Sequence, residues 1–348
     1  MKSNMKKFVR LIYILITVGV IVAFGLFDPN FKGAVQIIPT LKLKYVLLGV
    51  FSIGMYWIMD AVSLKYVTGF MYKKVSFLKT FRIAIIGQYY SALTPSSTGG
   101  QPMQVMYMKR DGIPVGTSTC IMLIKFICYQ LGTFLLFLLG MVLRGSYYFA
   151  TINSIFWLSI VGFLTNFIVV VLLALSIFRE SWVLKIGTAL IRFGCFLKII
   201  KNKEKTTNSL MKLVSDFRMA VGYVKKYKLK VFINFLMILV HLLSLYSITT
   251  WIYLAFGQTG GMILDIIFLQ VFLTVTVTLF PMPGATGASE IGFYGFMAMF
   301  FKSDVIFLAM LMWRLITYYS NIFIGAIYVL IEEILSFRKN KMNAQQES

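Results

Sequence analysis

Six long runs of apolar residues recur along the 348-residue chain, and they constrain its fold more than any other feature. At a rise of about 1.5 Å per residue, a helix of ~20 such residues crosses the ~30 Å hydrocarbon core of a bilayer. Lipid offers the backbone no hydrogen-bond partners, so each run must satisfy its own as a helix. The runs cover 11–27, 46–59, 121–143, 155–178, 231–256 and 305–331.

Composition excludes an ordinary soluble fold. Hydrophobic residues make up 59% of the chain and charged residues 13%, against about 45–50% and about 25% in a soluble domain. The first run follows Lys6, Lys7 and Arg10 as a signal peptide would, but no small-residue cleavage site follows it, which favours a retained helix. Cys120, Cys128 and Cys195 have no metal-ligand spacing, so we expect no metal, cofactor or disulfide.

The net charge of +22 reports orientation. In a soluble protein it would suggest a nucleic-acid partner, and here we expect none. Lys and Arg gather at the N-terminus, in 65–82, in 179–230 and in 338–341, and cation-rich segments flanking membrane helices lie on the cytoplasmic side. The sequence therefore predicts a multi-pass membrane protein with both termini cytoplasmic. Lys42 and Lys44 do not fit this pattern.

Two stretches that should be ordinary spans are broken by proline and glycine. The stretch 81–110 contains a Thr-Pro-Ser-Ser-Thr-Gly-Gly-Gln-Pro string at 94–102, and 263–301 contains Pro-Met-Pro-Gly at 281–284. A helix does not continue through such strings. Arg82 and Arg110 put both ends of the first stretch on the cytoplasmic side, whereas Asp265 and Lys302 put those of the second outside. Each stretch is thus predicted to be a re-entrant hairpin, and the two hairpins enter the membrane from opposite faces.

The two halves of the chain resemble an inverted repeat. Gln101 and Lys125 have the same spacing as Glu290 and Arg314, and a Tyr follows each cation four residues later. Inverted repeats with broken segments at matching positions are typical of transporters. We predict an all-α polytopic membrane protein with about six full transmembrane helices and two re-entrant helical hairpins. It forms one membrane domain, 1–348, with a first half 1–178, a basic amphipathic connector 179–230 and a second half 231–348.

Ionisable residues embedded in these helices mark the candidate site, because a charge at the bilayer centre needs a partner or water. Backbone amides at the half-helix starts, with Lys125 and Arg314, would suit a lipid phosphate. Two alternatives stay open: Glu290 and Arg314 form a purely structural pair, and Lys125 snorkels to the interface. The candidate substrate-binding residues are Pro95, Gly99, Gly100, Gln101, Lys125, Pro283, Gly284, Gly287, Glu290 and Arg314.

Other embedded polar residues favour structural roles. His241 has no ligand partner at suitable spacing and is expected to be a hydrogen-bonded helix histidine. Amide side chains inside membrane helices commonly bond between helices. We expect this of Gln88, Gln130, Asn166, Gln270 and Asn321.

Three strings of the sequence resemble the membrane domain of lysylphosphatidylglycerol synthase. They are Thr-Pro-x-x-x-Gly-Gly-x-Pro ending at Pro102, Pro-x-Pro-Gly-x-x-Gly-x-x-Glu ending at Glu290, and Arg-Leu-Ile-Thr-Tyr-Tyr from Arg314. That domain also occurs alone in bacterial and archaeal proteins. The resemblance covers nearly the whole chain and implies a location in the cytoplasmic membrane. Gln101 departs from the family pattern, which usually has an acidic residue there, and this weakens the inference of a lysyl-lipid substrate.

The resemblance implies a flippase-like unit that moves a phospholipid or aminoacylated phosphatidylglycerol between leaflets and helps resist cationic antimicrobial peptides. The alternatives are a phosphatidylglycerol lysyltransferase, as in the family name, and a membrane partner without transport. No catalytic constellation is apparent and the soluble synthase domain is absent from this sequence, so we expect no enzyme activity and no cofactor. Membrane lipids are the expected partners, with a homo-oligomer and a separate lipid-synthesising enzyme left open.

Overall fold

The computed structural model describes residues 38–175, 180–196, 203–260 and 263–332, and in these ranges the chain is helical without any strand. Five helical segments are long and apolar enough to cross a membrane, which confirms the all-α polytopic fold. They correspond to five of the six predicted spans, with ends that differ by a few residues, and the sixth, 11–27, lies outside the described residues. The helices are α1 Leu43–Met71, α2 Phe77–Leu93, α3 Gly100–Arg110, α4 Val115–Leu175, α5 Glu180–Phe196, α6 Lys203–Lys226, α7 Lys228–Ala255, α8 Ile263–Val277, α9 Ala288–Met297 and α10 Ile306–Glu332.

Two of these helices depart from regular α geometry. Helix α4 is kinked at Ile152, where φ is −130° and ψ is 39°, and this divides it into two spanning arms, Val115–Ile152 and Ile155–Leu172. Helix α10 contains a π-helical turn, Leu315–Tyr319, directly after Arg314. Such turns are frequent at functional sites. Helices α5 and α6 occupy the predicted connector.

The antiparallel pair α1 and α7 defines the two ends of the bundle. At one end the Lys42 amide donates to the Ala255 carbonyl at 2.9 Å. At the other the rings of Phe70 and Tyr227 lie 5.4 Å apart. We refer to these as the Lys42 end and the Tyr227 end. Their orientation relative to the cytoplasm stays a prediction.

The first hairpin, α2 with α3, opens toward the Tyr227 end. There the Tyr72 hydroxyl donates to the Gly112 carbonyl at 3.2 Å. Arg82 of α2 donates to both oxygens of Asp111, at 2.7 and 2.8 Å, and to Glu332 at 2.8 Å. This network fastens the base of the hairpin to the end of α10.

The second hairpin, α8 with α9, opens toward the Lys42 end. Asp265, in the first turn of α8, accepts a bond from Arg144 at 3.1 Å and one from the Tyr148 hydroxyl at 2.7 Å. Both partners lie on the first arm of α4. The two hairpins therefore enter the bundle from opposite ends, as the sequence predicted.

The turns that follow Pro95 and Pro283 in the two hairpin tips have matching geometry, and the tips lie against each other. Pro95 and Pro283 form an isolated antiparallel bridge. The Thr98 amide donates to the Pro95 carbonyl at 3.2 Å, and Thr286 repeats this bond to Pro283 at 3.3 Å. Each proline thus pairs with its own equivalent, as residues do across a two-fold axis, which supports the inverted repeat.

The same turns align the two halves one residue away from the alignment inferred from sequence. Positive φ occurs at Ser96 and Ser97 in the first tip, and at Gly284 and Ala285 in the second. The turn bonds pair Pro95 with Pro283, so Glu290 corresponds to Pro102 rather than to Gln101. The equal spacing of the polar residues therefore does not reflect structural equivalence.

Candidate functional site

A cavity of about 500 Å³ lies beside the meeting hairpin tips. Helices α1 to α4 and α7 to α10 contribute to its wall, together with the tips themselves. Four of the ten predicted site residues line it: Gln101, Lys125, Gly284 and Arg314. Proline- and glycine-broken backbone at such a position is tolerated where it lines a polar cavity or packs within protein.

Arg314 and Glu290 form a buried ion pair at the second tip. Arg314 Nε donates to Glu290 Oε1 at 2.7 Å, and the two side chains are 5% and 1% exposed. Arg314 Nη1 also donates to the Gly284 carbonyl at 3.2 Å. The sequence predicted that these charges would meet. Arg314 lines the cavity and Glu290 does not, so the positive charge of the pair is the one that faces the cavity.

One nitrogen of this guanidinium is left without a partner. Arg314 Nη2 is buried and makes no hydrogen bond within the protein. An unpaired buried donor of a charged group is costly, typically ~1–3 kcal/mol or more. The guanidinium carbon also lies 5.2 Å from the ring centroid of Trp313 and 5.0 Å from that of Tyr318.

At each of the two half-helix starts, the amide of the capping glycine is bonded to a local side chain. The Gly99 amide donates to Thr94 Oγ1 at 2.8 Å, and the Gly287 amide donates to Glu290 Oε2 at 2.6 Å. Local side chains accept these bonds because helix starts leave amides unsatisfied. Pro95, Pro283 and these glycines therefore shape the tips without lining the cavity.

Close packing explains two further glycines of the predicted site. A Cβ on Gly100 would lie 2.7 Å from the Gly87 carbonyl and 2.0 Å from Ser91 Oγ, so glycine lets α3 approach α2. Gly284 has φ +58° and faces the ring of Tyr318, whose hydroxyl donates to the Ala92 carbonyl in the first hairpin. Both positions hold the tips together.

Lys125 pairs with a carboxylate that the sequence analysis did not single out. Lys125 Nζ donates to Asp60 Oδ1 at 2.5 Å and to the Asp60 carbonyl at 3.1 Å. The two side chains are 9% and 8% exposed, so the snorkelling alternative for Lys125 is wrong. Asp60 directly follows the apolar run 46–59. An acidic residue inside a spanning helix is itself a functional signal, and it could have been found that way.

A polar network extends from Asp60 along the wall. Gln88 donates to Asp60 Oδ2 at 3.2 Å and accepts a bond from the Tyr56 hydroxyl at 2.9 Å. His241 contacts the Tyr56 carbonyl at 2.9 Å, as expected of a hydrogen-bonded helix histidine. Three other predicted interhelical amides are hydrogen-bonded: Asn166 with Thr278, Gln270 with Thr249, and Asn321 with Trp57.

The charges around the cavity balance. Lys125 is offset by Asp60 and Arg314 by Glu290. Each cation of the predicted anion site therefore has a buried carboxylate partner. Within the described part of the chain, no group of three or more His, Cys, Asp or Glu residues could hold a metal.

Comparisons with known proteins agree with this architecture. The family described as "Lysylphosphatidylglycerol synthase TM region" matches residues 10–325. A "UPF0104 membrane protein" of Archaeoglobus fulgidus is 26% identical over 302 residues, which cover 82% of this chain and 86% of that protein.

Proposed function

We propose that this chain, which belongs to the family of lysylphosphatidylglycerol synthase transmembrane regions, moves a polar lipid between the leaflets of the membrane. The observation that carries the proposal is the cavity beside two hairpin tips that enter the bundle from opposite ends. This arrangement is typical of transporters with inverted repeats, whose substrate sites lie where the repeats meet.

The wall of the cavity suits a lipid headgroup. The cavity volume of about 500 Å³ falls within the ~300–1,000 Å³ range of small-molecule sites. Arg314 lines the cavity and supplies a planar guanidinium, whose geometry matches phosphate oxygens. Asp60 and Lys125 lie on the same wall and can exchange partners with a charged headgroup. A phospholipid or an aminoacylated phosphatidylglycerol is the proposed substrate class.

Reconstitution into vesicles tests this proposal. Vesicles carrying a headgroup-labelled fluorescent phosphatidylglycerol are treated with an impermeant quencher, and the inner-leaflet fraction that becomes quenched measures lipid movement. Wild-type protein is expected to move the lipid well above the rate of empty vesicles. The double variant Arg314→Met/Glu290→Gln should fold, because an apolar replacement of a buried pair is often neutral, but should lose most of this movement.

A matched control lies at the Lys42 end, outside the cavity. The double variant Arg144→Met/Asp265→Asn also removes an ion pair, yet should keep lipid movement. Glu290→Gln alone should change which headgroups are accepted. Full movement by the Arg314→Met/Glu290→Gln variant would show the pair to be structural only, and no movement by wild-type protein with any phospholipid would overturn the proposed function.

A further inference from the structure

His241 is the single histidine of the chain and it faces the cavity. Its side chain lies on α7 and is buried, with the residue only 3% exposed. The ring stacks on Tyr56, with centroids 4.0 Å apart, and meets Tyr129 edge-on at 6.4 Å. A histidine in this position is held in one orientation on the wall of the cavity.

One hydrogen bond fixes which ring nitrogen carries the proton. Nδ1 lies 2.9 Å from the Tyr56 carbonyl oxygen. A carbonyl oxygen only accepts hydrogen bonds, so Nδ1 must be the donor. In the neutral ring Nε2 then holds the lone pair. The next proton to bind this histidine therefore binds at Nε2.

The groups around His241 decide what that proton would do to the cavity. Asp60 on α1 and Lys125 on α4 offset each other, as do Arg314 and Glu290. A proton on His241 would thus give the cavity one net positive charge, and an uncompensated charge at this depth is unfavourable. The other polar groups of the surrounding wall carry no charge in their ordinary state: Tyr56 on α1, Gln88 on α2, Tyr129 on α4 and Gln270 on α8.

We propose that His241 is a proton-binding site of the cavity, and that a proton and an anionic lipid headgroup bind there together. The proposal rests on the proposed function, which places headgroups in this cavity. A phosphodiester carries one negative charge and offsets the imidazolium. By thermodynamic reciprocity, the factor by which the proton tightens lipid binding equals the factor by which the lipid tightens proton binding. Lipid movement would then depend on pH.

Nuclear magnetic resonance of the full chain, labelled with ¹⁵N-histidine and purified without a histidine tag, reads this site directly because only one ring contributes. We expect a neutral ring protonated at Nδ1 near about pH 8, and a doubly protonated ring near about pH 5.5 only when the anionic lipid is bound, because burial opposes an uncompensated charge. Phosphatidylglycerol should increase the doubly protonated fraction at intermediate pH. An unchanged protonation state across this range, with and without the lipid, would overturn the proposal.

Lipid binding at the two pH values supplies the second readout. Wild-type protein should bind phosphatidylglycerol roughly tenfold more tightly at about pH 5.5 than at about pH 8. Phosphatidylcholine, whose headgroup has no net charge, should show little difference. His241→Gln keeps a donor for the Tyr56 carbonyl and should fold, but its binding of phosphatidylglycerol should be independent of pH.

The outcomes separate this inference from the transport function. Lipid movement and binding that are equal at both pH values would overturn the proton site and leave transport standing. Absence of any lipid binding by wild-type protein would overturn both the transport function and the joint binding.

Discussion

At the scale of single residues, burial of the Asp60–Lys125 pair should make each charge depend on the other for stability. Lys125→Met removes the cation and leaves the Asp60 carboxylate buried with only Gln88 as a side-chain partner. Breaking one side of a buried pair typically costs about 3–5 kcal/mol. The free energy of unfolding in detergent should fall by about this amount.

Removing both charges provides the comparison for this prediction. Asp60→Asn/Lys125→Met keeps an oxygen for Gln88 and should recover most of the lost stability. Lys65→Met changes an exposed position on α1, the helix that carries Asp60. Its free energy of unfolding should stay within about 0.5 kcal/mol of wild type. A Lys125→Met variant as stable as Lys65→Met would show that the pair contributes little.

The residues of the site were predictable from sequence only in part. Arg314, Glu290 and Lys125 stand out because charges inside apolar runs are costly, and the structure places all three at or beside the cavity. Their partners were harder to assign. Asp60 comes from a distant helix, and the amides of Gly99 and Gly287 are taken up by side chains whose orientation depends on the folded tips.

At the scale of elements, the close approach of α2 and α3 depends on Gly100. Gly100→Ala would place a methyl group 2.0 Å from Ser91 Oγ and 2.7 Å from the Gly87 carbonyl. Because a backbone atom cannot rotate away, the helices must separate, and overpacking of this kind costs about 1–3 kcal/mol. The melting temperature in detergent is expected to fall.

A matched glycine on α1 controls for this substitution. Gly54 has no atom within 4 Å of an added Cβ, so Gly54→Ala should be neutral or slightly stabilising. Ser91→Ala combined with Gly100→Ala should recover only part of the loss, since the Gly87 carbonyl remains. Equal melting temperatures for Gly100→Ala and Gly54→Ala would contradict the tight hairpin.

The hairpins themselves were predictable because proline and glycine strings end helices for local reasons. The alignment of one hairpin with the other was not predictable from sequence. The alignment of the two tips depends on turn bonds at Pro95 and Pro283, and equal spacing of polar residues in the sequence pointed one residue away.

At the scale of the whole molecule, two hairpins entering from opposite ends meet at Pro95 and Pro283 and flank a cavity whose charges are paired. Apolar runs and broken segments predicted this architecture because the lipid solvent restricts the fold so strongly. Long-range pairing of side chains across helices does not appear in such patterns, since it depends on how the helices pack.

A reversible cross-link between the tips tests the central claim most directly. Paired residues in an antiparallel bridge have Cα atoms about 5 Å apart, within disulfide range. Pro95→Cys/Pro283→Cys, in a chain whose native cysteines are replaced, should form a disulfide that stops lipid movement in vesicles, and reduction should restore it. The single-cysteine variants control for loss of each proline. Failure to form the bond would contradict the fold, and full lipid movement by the cross-linked protein would contradict the proposal that lipid passes beside the hairpin tips.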